Sequence, residues 1–430
     1  MNIIMMTNSF TPHVGGVARS VEAFTAEYRR RGHRVLVVAP VFENMPKDEI
    51  DVVRVPAIQH FKGSDFSVVL PMPGFLTSAI EELKPDIVHS HHPFLIGATA
   101  LRVAHIRELP LVFTHHTMYE QYTHYVPGDS KALKRLVIKF STSYANLCDQ
   151  VFAPSRSVAS VLGERGVKAP IDVVPTGVYP ERFAQGSGPG FRAAMGIPED
   201  AFVVGHLGRL APEKNLAFLA KAVAAFLRIE GRAHFLLIGK GPSLKAILDI
   251  FSRQGLAGRL HLGGIFEHPM LASAYRAMDV FAFASKSETQ GMVLTEAMAA
   301  AVPVVALDAP GIREVVVDQV NGRLLYSETL EAFSSALQWA ASLPPERMHQ
   351  LKRGAEHTAK AFSIERSTDK GLALYENLRE KEYVRRHDEY NLWTAARRLI
   401  KTEWDLLKGV TRVAADAAFS GHEGEGKTKP

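Results

Sequence analysis

The chain has 430 residues, one cysteine and a formal net charge of +5, with 47% of its residues apolar and 22% charged. These proportions exclude a disulfide-built scaffold and global disorder, and the length calls for two domains of roughly 150–200 residues each. The mild positive balance suits nucleic acid, anionic lipid or phosphorylated substrates without choosing among them, and the lone Cys148 suits a reducing cytoplasm.

In chain order, Asn2 to Thr7 predicts a first strand; Met1 to Thr7 has neither a basic segment nor a cleavage site, so it does not read as a signal peptide. Buried parallel strands are expected at Val35 to Ala39, Asp86 to His89, Leu111 to Thr114, Val151 to Ala153 and Ile171 to Val174. A second series runs through Phe202 to Leu207, His234 to Ile238, Leu260 to Leu262, Val280 to Phe283 and Pro303 to Ala306. Strands alternating with helical patterns mean α/β organisation, with parallel sheets covered on both faces. The tract Glu181 to Gly196 interrupts the alternation with glycines and reads as a linker. A long helical tract follows from about Ser363, and the polar, Gly-rich end from about Ser420 reads as disordered. No run of about 18 apolar residues occurs, so no membrane-spanning helix is expected.

Three segments carry candidate chemistry. After the first strand, Gly15-Gly16 precedes a helix, where backbone N–H groups approach an anion closely; a plain tight turn reads the same residues equally well. Gly208-Arg209-Leu210-Ala211-Pro212-Glu213-Lys214-Asn215 places a guanidinium and an ammonium in one strand-to-helix loop, which suits a diphosphate. A solvated basic loop is the competing reading. In Glu288-Thr289-Gln290-Gly291-Met292-Val293-Leu294-Thr295-Glu296, two carboxylates flank a glycine at a strand-to-helix junction. Met292, Val293 and Leu294 would offer helix-start N–H groups to phosphate, Glu296 would accept from a ribose diol, and Glu288 would reach sugar hydroxyls. Two surface glutamates at this spacing also arise by coincidence.

Taken together, the Gly-Gly loop, G-R-L-x-x-x-K-N, E-x7-E-A-M-A and Ala301-Val302-Pro303-Val304-Val305 resemble the retaining glycosyltransferases of family 4, over roughly Met1 to Tyr326. The resemblance implies the GT-B architecture: two Rossmann-like domains with a deep interdomain cleft and a C-terminal crossover helix. Combined with the glycine-rich tract, the helical patterns and the polar end, it gives an N-terminal acceptor domain over 1–185, a nucleotide-sugar domain over 196–362, crossover and amphipathic helices over 363–415 and a disordered tail over 416–430. It also implies that Gly16, Arg209 and Lys214 hold the diphosphate, Glu296 the ribose and Glu288 the transferred sugar, with Ile265 at the base. Gln290 stands where family members usually carry an aromatic residue. The phrases His116 to Tyr125 and Glu288-Thr289-Gln290-Gly291 resemble, more narrowly, bacterial enzymes that glucosylate diacylglycerol from UDP-glucose.

The stretch Thr114 to Tyr125 is dense in His and Tyr. A metal site is one reading, but its spacing lacks an accompanying Cys or carboxylate set, so a buried hydrogen-bonded loop and, ahead of it, an active-site wall are favoured. By the resemblance, His116 faces the reacting sugar, and Tyr119, Tyr122 and His124 fall on the acceptor side. His89, His91 and His92 end the preceding strand at the same sheet edge, where open α/β sheets bind ligands.

Two segments bear on membranes independently of the resemblance. In Lys131 to Leu147, Leu133, Leu136, Val137, Phe140, Tyr144 and Leu147 share one helical face, opposite Lys131, Lys134, Arg135 and Lys139. In Leu392 to Val413, Leu392, Leu399, Ile400, Leu406, Leu407 and Val410 share one side, broken by Glu403 and with Trp393 and Trp404 at its edge, opposite Arg397, Arg398, Lys401, Lys408 and Arg412. Such helices suit an anionic bilayer, or dock on their own protein with the charged face in water.

The expectation is a hexosyltransferase that moves glucose from UDP-glucose to a diacylglycerol-type lipid with the α configuration kept, peripheral on the cytoplasmic face of the membrane. Nucleic acid is not an expected partner. No cofactor is expected, and without a D-x-D motif no divalent metal is required at the diphosphate. With no certain nucleophile in the chain, same-face attack is favoured over a covalent intermediate. The rival readings are a transferase for soluble or phosphoinositol-type acceptors, a sugar-nucleotide epimerase, which would form product without an acceptor, and a non-catalytic nucleotide-sugar sensor.

Overall fold

The computed structural model describes residues 1–13, 15–58, 68–69, 76–121 and 130–388. The described chain forms two compact units, Met1–Pro175 joined by residues 367–388, and Thr176–Arg366.

The first unit contains β1 (Asn2–Met6), β2 (Arg34–Pro40), β3 (Val52–Val55), the short pair β4 (Ala57–Ile58) and β5 (Val68–Val69), then β6 (Ile87–Ser90), β7 (Leu111–Thr114), β8 (Gln150–Ala153) and β9 (Ile171–Val173). Seven of these make one parallel sheet in the order β3-β2-β1-β6-β7-β8-β9. Its apolar runs do not alternate with polar residues because both faces are covered. In β1, Ile4 and Met6 join one core with Ala100, Leu101 and Tyr144. Ile3 and Met5 join the other with Val21, Phe24 and Tyr28.

The second unit repeats the plan with β10 (Phe202–Leu207), β11 (Ala233–Ile238), β12 (Leu260–Gly263), β13 (Val280–Phe283), β14 (Val304–Leu307) and β15 (Gly322–Leu325). All are parallel, in the order β12-β11-β10-β13-β14-β15. Both sheets therefore reverse their winding direction beside their first strand, between β1 and β6 and between β10 and β13. Ligands of doubly wound folds bind at this switch, outside the carboxyl ends of the strands.

The division between units falls at Pro175/Thr176, earlier than the 185/196 expected from composition. The glycine-rich tract is not a loose connector. It forms helices Pro180–Ala184 and Gly188–Ala194, whose Phe183 and Phe191 enter the second unit's core. Its glycines permit close approach to helix Met270–Arg276: a Cβ on Gly186 would lie 2.8 Å from Ser273 N, and one on Gly188 2.2 Å from Arg276 O.

Where the chain returns, Val178 N–H donates to Phe362 O at 3.0 Å and Ile364 N–H to Val178 O at 2.8 Å. Helix Ile364–Asp388 then carries Leu372 and Tyr375 into the first unit's core, as the expected crossover requires. Among the described residues, no helix is long and apolar enough to cross a membrane. Tyr122, His124, Trp393, Arg397, Arg398 and Trp404, with the whole of the second amphipathic segment, lie outside the described residues.

Candidate functional site

In the second unit the loops after β10 and β13 flank the switch point, and each delivers one charged group. Lys214 Nζ donates to Glu288 Oε1 at 2.6 Å, with both side chains mostly buried. Burial works to raise the Glu288 carboxyl, but the Lys214 charge and hydrogen bond, a Ser285 hydroxyl and His206 outweigh it, so the group lies below the ordinary carboxylate range. The structure thus joins two residues that the sequence separates by 74 positions. Arg209, half-exposed, pairs with Glu213 on the same loop. Two glycines that the sequence reading passed over let this loop lie flat. A Cβ on Gly239 would sit 1.9 Å from Gly208 O, and one on Gly241 2.3 Å from Leu210 O. Their signal was legible as Gly239-Lys240-Gly241 directly after a strand.

Gly291 takes the left-handed conformation, φ +75°, that turns the chain into helix Met292–Ala299. Leu294 N–H already donates to Gly291 O at 2.9 Å, so it is not an available helix-start donor as expected. Among the described residues no hydrogen bond takes the N–H of Met292 or Val293, which leaves these two to meet an anion at the positive end of the helix. One turn on, buried Glu296 accepts from the Tyr275 hydroxyl at 2.7 Å through Oε2, a partner the sequence did not suggest. Ile265 stands apart, 55% exposed in the turn after β12, the edge strand two places from β10.

In the first unit, Gly15 caps helix Gly16–Arg30 in extended conformation, and Gly16 is the helix's first residue. The switch point here is lined by histidines. His91 Nδ1 lies 2.9 Å from His116 Nε2 with the rings stacked, and His89 packs on His91 at 4.2 Å between centroids. His89 Nε2 meets Thr114 Oγ1 at 2.7 Å, while its Nδ1 bonds the Tyr375 hydroxyl from the returning helix. Burial is the first cause in each case: it lowers His89 and His115 to about 3 and holds His91 and His116 well below the ordinary imidazole range. These imidazoles are therefore neutral near pH 7, and suited to hydrogen bonding rather than to charge pairing. Tyr119 stands edge-on to His115 and Phe94, its hydroxyl buried without a hydrogen-bond partner, and neighbouring Glu120 is held by Arg165 at 2.6 Å. Among the described residues no group of three His, Cys, Asp or Glu side chains is arranged to hold a metal ion.

Helix Lys131–Ala145 forms as its periodicity predicts, and the Ser130 hydroxyl caps it by accepting from Leu133 N–H at 3.1 Å. Its far end docks on its own unit: Phe140 stacks on Phe94, and Tyr144 donates to Gly97 O at 3.0 Å. At the near end Leu133, Leu136 and Val137 are only half-buried, and Lys134, Arg135 and Lys139 are exposed.

Two doubly wound domains joined by a returning C-terminal helix, the second with a Lys–Glu pair and open helix-start donors at its switch point, define a GT-B glycosyltransferase. Residues 14–182 match the description Glycosyltransferase Family 4, and residues 189–358 match Glycosyl transferases group 1. The chain belongs to glycosyltransferase family 4. It is 27% identical over 337 residues to an alpha-monoglucosyldiacylglycerol synthase of Streptococcus pneumoniae, covering 76% of each chain. A second synthase of that name, from Acholeplasma laidlawii, is 26% identical over 89% of this chain and 98% of its own. A D-inositol 3-phosphate glycosyltransferase of Saccharomonospora viridis is 33% identical over 67% of this chain and 69% of its own. Among solved structures, Anabaena HepE in complex with UDP superposes with a TM-score of 0.69 at 20% identity, over 88% of this chain and all of its own.

Proposed function

We propose that this glycosyltransferase moves glucose from UDP-glucose to the hydroxyl of a diacylglycerol-type lipid, with retention, at an anionic membrane surface. The observation that carries the reading is the likeness to two alpha-monoglucosyldiacylglycerol synthases, one spanning 89% of this chain. The site chemistry supports it. Lys214, Arg209 and the Met292 and Val293 N–H groups take up the charge of a leaving diphosphate, and Glu288 and His116 accept from or donate to sugar hydroxyls. Glu296 and Ile265 belong to the nucleoside. In same-face attack the acceptor oxygen bonds to the anomeric carbon, the bond to the β-phosphate oxygen breaks, and that phosphate takes the acceptor proton. No divalent ion is required for this step. Lys134, Arg135 and Lys139, exposed beside half-buried leucines, supply the attraction to anionic lipid on the cytoplasmic side.

The test is incubation with UDP-glucose and vesicles containing diacylglycerol and anionic phospholipid, followed by identification of the glycolipid and its anomeric configuration. An α-glucosyl lipid is the expected product. GDP-mannose and inositol 3-phosphate serve as competing donor and acceptor, because relatives named for these substrates also match. Transfer to inositol phosphate but not to lipid would replace the lipid reading.

A further inference from the structure

Gln290 has its backbone in the Glu288–Gly291 turn and its side chain somewhere else. The amide is buried, 3% exposed, and grips the backbone of Thr176: Thr176 N–H donates to Oε1 at 2.6 Å, and Nε2 donates to Thr176 O at 2.6 Å. A side chain here copies the paired bonds of a β ladder. Thr176 is the residue at which the chain enters the second unit. The next residue, Gly177, is pressed against the returning segment so closely that a Cβ would lie 2.1 Å from Ile364 Cα, and Val178 bridges to Ser363. Both passages of the chain between the units are thus fastened at one place, and Gln290 ties that place to the turn carrying Glu288. The turn has little slack on its other side, because a Cβ on Gly311 would meet Thr289 C and O at 2.7 Å and Gln290 N at 2.8 Å. An apolar side chain of similar volume would fill the space but remove both bonds to Thr176, so the amide does more than pack.

We propose that Gln290 is a positioning residue that couples the donor turn to the crossing segment, so that occupancy of the turn by a nucleotide sugar is transmitted to the backbone at Thr176–Val178. The proposal rests on the donor reading of the Lys214–Glu288 turn and not on the identity of the lipid. Amide hydrogen exchange of peptides covering residues 174–179 is measured with and without saturating UDP, with UDP affinity measured by calorimetry on the same samples. In the wild-type protein, UDP should slow exchange there by about threefold or more. In Gln290→Met, UDP should bind within about threefold of wild type, the exchange response should vanish, and kcat should fall at least about tenfold with the donor KM nearly unchanged. Gln290→Glu provides a second variant should the first fold poorly: it keeps the acceptor oxygen and regains the donor only when its carboxyl is protonated. Its kcat relative to wild type should therefore rise as pH is lowered. UDP binding to the wild type with unchanged exchange at 174–179 would overturn this proposal alone, as would an intact response in Gln290→Met. Failure of UDP to bind the wild type would overturn the donor reading with it.

Discussion

Replacing Lys214 by Ala separates what the Lys214–Glu288 pair does for the fold from what it does for the donor. At 2.6 Å and an effective dielectric of about 20, the gross attraction is about 6 kcal/mol, most of it offset by desolvation of both ions. Removing one partner of a fully buried pair costs about 3–5 kcal/mol, because the other charge is left behind. These side chains keep 18% and 15% exposure, so about 2–3 kcal/mol is expected. In a domain of this size that lowers the melting temperature by about 5–10 °C. Glu288 then has burial without its cation, and its carboxyl titrates upward. Adding Glu288→Gln removes the orphaned charge, so the double variant should regain most of the lost stability. Activity should follow the opposite logic. Loss of the ammonium removes about 2–4 kcal/mol of transition-state stabilisation, a fall of roughly 30- to 1,000-fold in kcat/KM, and the double variant should be no better. Calorimetry and steady-state transfer assays on the wild type and the two variants check this. Near-normal turnover in Lys214→Ala, or a double variant no more stable than the single, would refute the reasoning.

Acid should destabilise the first unit: His89 and His115 have folded pKa values of about 3, below the ordinary 6.5 of the unfolded chain, so their contribution is complete above that value and lost as pH falls toward 3. At pH 5.5 the two together should cost about 3 kcal/mol relative to pH 7.5, and a melting temperature that does not change over this interval would contradict it. His116→Ala should keep its melting temperature within a few degrees while turnover falls at least about tenfold; unfolding would mark the residue as structural instead. Turnover should survive a chelator, and complete loss restored by Mg²⁺ or Mn²⁺ would reveal a required metal. Changing Lys134, Arg135 and Lys139 together to Gln should weaken binding to anionic vesicles, and flatten its salt dependence, while UDP binding is unchanged; vesicle binding equal to wild type would mean that this helix serves only the protein.

Features carried by contiguous residues were legible in the sequence. Buried strands announced themselves as apolar runs, and the loops holding Lys214 and Glu288 were recognisable before their meeting was known. The strand Val52–Val55 escaped because it is short and interrupted by Arg54, which pairs with Glu49. The linker was misplaced because glycine has two physical uses: Gly186 and Gly188 signal close helix packing, not freedom. Contacts between distant segments were out of reach. Gln290 and Thr176 lie 114 residues apart, and His89 and Tyr375 lie 286 apart. No local pattern foretells such pairs, since the doubly wound topology and the returning helix create them.

That returning helix also sets an order of assembly. Tyr375 stacks on Phe152, packs tilted against Tyr28 and hydrogen-bonds His89, yet it is synthesised after every strand of both sheets. A chain emerging from the ribosome has the whole of its second unit, Thr176–Arg366, in hand before the first can close this face. The histidine-lined face thus reaches its native packing only after the whole of the second unit has been made.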